Sequence, residues 1–234
     1  MGEVREIYYE VYRKKAEKEL FKIIDGFAGF NTSKEGKYNS NIVFYDTPEN
    51  LLRSSKIILS TEASKGEGLL TLERDIEDNP NKKFIKLFEK YKFQEKIDAK
   101  STPVSHLNFL GYSLSRCFTE PLTFDPDSLF KDVVPKMVID IKNTEFKMVN
   151  AKGFKALLTV EQVKFQNKET RRDNFVTLLK VCEVEKGNSN IDYFEDLNRR
   201  LVKNCKFILE IDESKYKHSF RMTKKIEKKK EDDE

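Results

Sequence analysis

At 234 residues, 38% hydrophobic and 36% charged, the chain is long enough to bury a real core beneath a heavily charged surface, which excludes wholesale disorder. Its 44 basic and 40 acidic residues leave a net charge of only +4, a balance that argues against a surface for duplex nucleic acid yet leaves room for a local basic pocket. Cys117, Cys182 and Cys205 lie far apart without a CxxC pair, and His106 and His218 are isolated, so neither a disulfide framework nor a zinc centre is expected, and a reducing compartment suits the chain.

The N-terminus, MGEVREIYYE, carries charges where a signal peptide needs an apolar stretch, and no run approaches a membrane span. The expectation is a soluble, cytoplasmic protein with no membrane partner. Residues 5 to 13 are rich in strand formers. The following KKAEKELFKIIDGF spaces Leu20, Phe21, Ile23, Ile24 and Phe27 as a helix does, with Gly26 and Gly29 at its end. NTSKEGKYNSN reads as a loop. A strand over 41 to 46 is stopped by Pro48, and Asp46 reads as a turn residue bonding local N–H groups. Residues 56 to 62 and the segment GLLTLERD form a hairpin about a Gly-containing turn.

Residues 80 to 131 change character and predict a helical insert, with Phe84, Leu87, Phe88 and Tyr91 on one helix face. From 136 onward, KMVIDIKNTEFKMV, FKALLTVEQVKF and DNFVTLLKVCEVEK predict a three-strand meander. An amphipathic helix follows, on Phe194, Leu197, Leu201 and Val202. The charged residues 223 to 234 predict a mobile tail or frayed helix. Strands that mostly follow one another without helical crossovers predict an α+β fold. Its sheet is expected to be antiparallel and closed into a barrel of about eight strands, with helices packed outside, in a single domain over residues 1 to 222.

Four pieces in order resemble the CYTH domain of the triphosphate tunnel metalloenzymes. They are the strand and helix REIYYEVYRKKAEKELFKII, the corner VFYDTPENLLRSSKIILS, the hairpin partner LLTLERD, and the late strand and helix CEVEKGNSNIDYFEDLNRRL with the element DESKYKH. The resemblance implies a tunnel whose inward faces carry Lys and Arg for a triphosphate and Glu for Mg²⁺ or Mn²⁺. Carboxylates at i and i+2 of a strand point the same way and can reach one hard cation. Glu183 and Glu185 are the implied metal ligands and catalytic carboxylates, with Glu6 as a third ligand and Glu10 as a further catalytic candidate. Lys56, Arg74, Lys142, Lys147 and Lys215 are candidates for the basic lining, with Lys164 beside them.

The chain also departs from the pattern. Two arginines expected after the corner fall on Leu59 and Thr61, and an expected lysine falls on Glu73, with Arg74 one residue away. Tyr8 or Tyr12 stands where a second N-terminal glutamate belongs. Two readings remain open. One is a metal-dependent phosphohydrolase acting on inorganic tripolyphosphate, a nucleotide, thiamine triphosphate or an RNA 5′ triphosphate. The other is a degenerate tunnel that binds an anion or a protein. The expected ligand is a small phosphorylated molecule.

Overall fold

The computed structural model describes residues 6–13, 16–74, 92–117, 126–184, 191–211, 213 and 215–231. Nine strands run through these residues: β1 (Glu6–Val11), β2 (Phe30–Asp46), β3 (Ile57–Ser64), β4 (Glu67–Arg74), β5 (Lys92–Ile97), β6 (Val134–Asn150), β7 (Lys155–Asn167), β8 (Arg172–Glu183) and β9 (Ile208–Ile211). They pair in the order β5-β4-β3-β2-β6-β7-β8-β1-β9, every neighbour antiparallel. Among the described residues no ladder joins β5 to β9, so the sheet is open along its hydrogen bonds. The expected antiparallel sheet is present with nine strands, two of them short edge strands, and the ladders among the described residues do not close it into a barrel.

Among the described residues six α-helices accompany it: α1 (Glu17–Asp25), α2 (Leu51–Ser54), α3 (Leu107–Cys117), α4 (Pro126–Lys131), α5 (Ile191–Asn204) and α6 (Lys215–Glu231). Leu20 and Ile24 of α1, and Phe194, Leu197 and Leu201 of α5, recur at helical spacing and are fully buried. They pack on Leu158, Val160, Leu179 and Val181 of β7 and β8. Each such side chain contributes about 1.5–3 kcal/mol by leaving water. Leu110 and Leu114 of α3 and Phe130 of α4 pack on Leu59, Leu70 and Leu72 of the β3–β4 hairpin. The face that carries these helices is the outer face.

Directly paired residues of an antiparallel ladder project to the same side. The registers therefore place Ile42, Phe44, Met137, Ile139, Ile141, Val163, Phe165 and Leu178 together on the other, inner face. Helix α6 lies on that inner face. Tyr216 meets the Phe44 ring at 5.0 Å and the Phe220 ring at 4.9 Å. The expectation of helices only outside the sheet is corrected accordingly. The apolar positions Phe220 and Met222 of α6 match an inner face that is apolar at this end.

Three further elements differ from the expectation. NTSKEGKYNSN belongs to β2, pairing with β6 from Phe30 to Asp46. It is polar because most of its side chains there are partly or fully exposed, so no buried face imposes alternation. Within 80 to 131, residues 92 to 97 are the strand β5, held by β4, while the stripe Phe84, Leu87, Phe88 and Tyr91 lies outside the described residues. Past Met222 the chain stays helical to Glu231, and Thr223 is fully buried with its hydroxyl accepting from Asn167 Nδ2 at 3.2 Å.

Candidate functional site

The corner that ends β2 is a local hydrogen-bonded device. Asp46, 2% exposed, accepts the backbone N–H groups of Thr47 and Leu52 on Oδ1, both at 2.8 Å, and of Arg53 on Oδ2 at 3.0 Å. The Thr47 hydroxyl accepts the Leu51 N–H at 3.0 Å. The open N–H groups of α2 are thereby met, and Leu52 is seated against Ile57 and Leu59. This aspartate shapes the backbone.

The charged groups gather on the inner face, at the end of the sheet away from its apolar patch. Glu6, Tyr8 and Glu10 alternate along β1 and lie opposite Cys182, Lys180 and Leu178 of β8. Lys180 in turn pairs with Thr159, and Leu178 with Glu161 of β7. Lys180 Nζ is 2.8 Å from Glu6 Oε2, and Lys215 Nζ, arriving from α6, is 2.8 Å from Glu161 Oε2. The two ammonium groups both approach Tyr8, at 5.4 and 5.3 Å from its ring centre. Burial works against both ammonium charges. For Lys180, the hydrogen bond of Tyr8 and the charge and hydrogen bond of Glu6 outweigh burial; for Lys215, the charge and hydrogen bond of Glu161 do. Both lysines are held above their usual range and remain charged at neutral pH. Burial pushes the Tyr8 phenol up against the opposing pull of Lys215 and Lys180, so it stays neutral.

Two neighbours extend this group. Tyr38 of β2 lies among Glu145, Glu161 and Glu62, and burial, followed by those carboxylates, raises its phenol. Lys65, at the β3–β4 turn, reaches 4.1 Å from the Tyr38 ring centre and 3.8 Å from Glu145 Oε2. On the α6 side, the buried His218 places Nε2 3.6 Å from Glu10 Oε2 and Nδ1 2.9 Å from Glu213 Oε1.

Of the residues singled out from the sequence, Glu6, Glu10, Lys147 and Lys215 fall on the inner face. Lys147 lies opposite Leu157 in β7, and Leu157 lies opposite Cys182. Glu183 does not join them. It pairs with Ala156, is 4% exposed, and shares the outer side with Val181 and Leu179. The expectation that it points inward is corrected: the register puts Lys180 and Cys182 there. Glu185 lies outside the described residues.

Arg74 projects outward and donates to the Cys117 carbonyl at 2.7 Å, tying β4 to α3. Lys142 is exposed on the outer side opposite Gln162, and Lys164 is ion-paired there with Asp173 at 2.8 Å. Lys56 is an exposed residue at φ 59°, just before β3. In β3 the inward positions are Ile58, Ser60 and Glu62, because Phe44 pairs with Ser60 and Ile42 with Glu62. Leu59, taken for an arginine position, is instead fully buried under α3. Neither frame supplies a cation from this strand. Lys180 and Glu161 are not singled out by the sequence, because apolar residues stand on both faces of their strands, Leu178 and Leu179 in β8 and Val160 and Val163 in β7.

A single antiparallel sheet with a charged inner face, an Asp-Thr-Pro corner and helices against the hairpin defines the CYTH, or triphosphate-tunnel, fold, here in a divergent form. Two solved structures carry the likeness. A candidate adenylyl cyclase from Hippeastrum, for which a dominant triphosphatase activity is described, matches with a TM-score of 0.61 at 12% identity, over 94% of this chain and 96% of its own. A candidate adenylate cyclase from Bacillus halodurans matches with a TM-score of 0.50 at 11% identity, over 91% of this chain and 96% of its own. No protein-family model matches the chain, and no curated protein matches it.

The expected metal set does not come together. Glu6 and Glu183 lie on opposite sides of the sheet, and the described residues contain no group of three His, Cys, Asp or Glu side chains able to hold a metal ion. Glu6 and Glu161 each face a lysine ammonium instead. No described helix is long and apolar enough to cross a membrane.

Proposed function

We propose that this chain is a divergent triphosphate-tunnel protein whose inner face binds a small phosphorylated molecule, with Lys180 and Lys215 as the groups that hold it. The observation that supports this reading most is the pair of half-buried ammonium groups that both approach Tyr8, at 5.4 and 5.3 Å from its ring centre. Each is paired with a single carboxylate, whereas one polyanion can engage both ammonium groups at once through charge-assisted hydrogen bonds. On this reading the sheet curls into a tunnel around its ligand, and tripolyphosphate, a nucleotide, thiamine triphosphate and an RNA 5′ triphosphate share the chemistry the lysines recognise.

Hydrolysis is the second reading, favoured by Glu10 and Glu161 sharing the face of the lysines, where a carboxylate can orient an attacking water. The described carboxylates do not fit a Mg²⁺ or Mn²⁺ centre, and no step is drawn through one. With no arginine on β3 and a glutamate at position 73, turnover is expected to be slow.

The test pairs calorimetric titration of tripolyphosphate with phosphate release from tripolyphosphate, ATP and thiamine triphosphate, with and without Mg²⁺ or Mn²⁺. Lys180→Met and Lys215→Met should each weaken binding at least about tenfold, the scale of one lost charge-assisted bond. Binding that survives the double substitution would overturn the assignment. Brisk, metal-dependent phosphate release would favour the hydrolase reading instead.

A further inference from the structure

The β3–β4 hairpin brings one more cation to the inner face. Its ladder with β2 ends at the pair Ser40 and Ser64, one inward position short of Tyr38. Lys65, in the turn that follows Ser64, covers that position instead. Its ammonium stands 4.1 Å from the Tyr38 ring centre and 3.8 Å from Glu145 Oε2. Glu145 lies opposite Thr159 in β7, and Thr159 opposite Lys180 in β8. Paired residues share a side, so Glu145, Thr159 and Lys180 form one inward row, two strand spacings or about 10 Å wide. Lys65 stands at one end of that row and Lys180 at the other.

Lys65 is held differently from the two lysines already assigned. Lys180 and Lys215 each meet a carboxylate oxygen at 2.8 Å, within hydrogen-bond distance. The contact of Lys65 with Glu145 is longer than a hydrogen bond, and the lysine side chain is 61% exposed. Its three N–H groups can therefore turn to a phosphate oxygen without giving up a hydrogen bond to that carboxylate. The turn itself does not call for lysine. Lys65 and Gly66 have φ of 53° and 85°, the left-handed pair of a two-residue hairpin turn, where asparagine, aspartate or glycine is favoured at the first position. Strained residues of this kind cluster where a side chain is used on a ligand. Lys56 and Arg171 are left-handed as well, so the backbone alone does not single out Lys65. Its seat over the inner face does.

We propose that Lys65 is the third ammonium of the ligand site, a hairpin-borne cation that takes the far end of a phosphate chain laid from Lys180 across β8, β7 and β6. The inference rests on the phosphate-binding reading above and adds a contact that β3 does not supply, since its inward residues beside β2 are Ser60, Glu62 and Ser64. A single phosphate group does not span two strand spacings, whereas a chain of them does, so Lys65 acts on polyphosphates.

Calorimetric titration of tripolyphosphate, in EDTA and again with Mg²⁺, compares wild type with Lys65→Asn, Lys65→Arg and Lys37→Asn. Asparagine suits the left-handed turn and removes the charge. It should weaken binding at least about tenfold, the scale of one charge-assisted bond, with a urea midpoint at or above that of wild type. Arginine keeps the charge and should bind close to wild type. Lys37 is adjacent to Tyr38 but faces the outer side, opposite Thr144. Lys37→Asn, an equal loss of net charge, should leave affinity unchanged.

Wild-type affinity in Lys65→Asn, an equal loss in Lys37→Asn or in Lys65→Arg, or a loss that comes with a lowered urea midpoint would overturn the role of Lys65. Phosphate binding by Lys180 and Lys215 would then still stand, with Lys65 only a brace for Tyr38. Failure of wild type to bind tripolyphosphate in either condition would overturn the phosphate-binding reading, and this inference with it.

Discussion

Replacing Asp46 by alanine should destabilise the protein by about 3–4 kcal/mol. The carboxylate is buried and accepts three backbone N–H groups, two of them from the first turn of α2. Hydrogen bonds to a charged acceptor contribute about 1.5–3 kcal/mol each. The Thr47 N–H is adjacent in sequence and can find another acceptor locally, so it is left out of the sum. The Arg53 N–H lies nearer solvent, which places the total toward the lower end of two such bonds. Asp46→Asn keeps an acceptor for Thr47 and Leu52 but turns an amide N–H toward the Arg53 N–H, and should lose about half as much. Urea denaturation followed by circular dichroism measures both, with the midpoint moving at constant slope. A loss below about 1 kcal/mol in Asp46→Ala would show that water or the neighbouring Thr47 hydroxyl replaces the carboxylate, and that the corner does not depend on it.

Lys215→Ala should lower stability by about 3–5 kcal/mol, because it strands Glu161 in a buried site, whereas Lys215→Met combined with Glu161→Leu should lose less than the single change. Urea titration of the three proteins checks this, and equal losses would refute it. Burial pushes the thiols of Cys117 and Cys205 up to about 11, so an aromatic disulfide reagent at pH 7.5 should leave both unreacted in the native protein and react with both in urea. For Glu169, burial works against the charge, but the hydrogen bond and charge of Lys136 at 2.9 Å outweigh it and hold the carboxyl below its usual value of 4.5. The stability this provides is complete above that value and is lost as pH falls through the lower, folded one. Lys136→Met should therefore flatten the acid limb of a stability–pH profile. Glu183, on the outer face, should affect stability on substitution by glutamine while leaving tripolyphosphate affinity unchanged, a comparison read by calorimetry.

Much of the architecture was legible because its causes are local. The Asp46-Thr47-Pro48 corner satisfies N–H groups within seven residues of the aspartate. The periodic apolar positions of α1 and α5 declare their buried sides, and the three strands of the meander alternate because each covers a core. The sequence by itself therefore determined the antiparallel meander, the corner and the helices that pack on it. Which face each strand turns to the site was decided only by pairing. In β8 an apolar residue stands on both sides of the alternation, Leu178 inward and Leu179 outward, so composition does not distinguish the frames. One residue of register exchanges Glu183 for Lys180 at the site, and Leu59 for Ser60. Glu161 and Lys215 are 54 residues apart, and Glu6 and Lys180 farther still, so their pairing follows from the ladders of β1, β7 and β8 and the seating of α6. Such contacts leave no mark in either local segment, because the energy that selects them comes from burying the whole inner face at once.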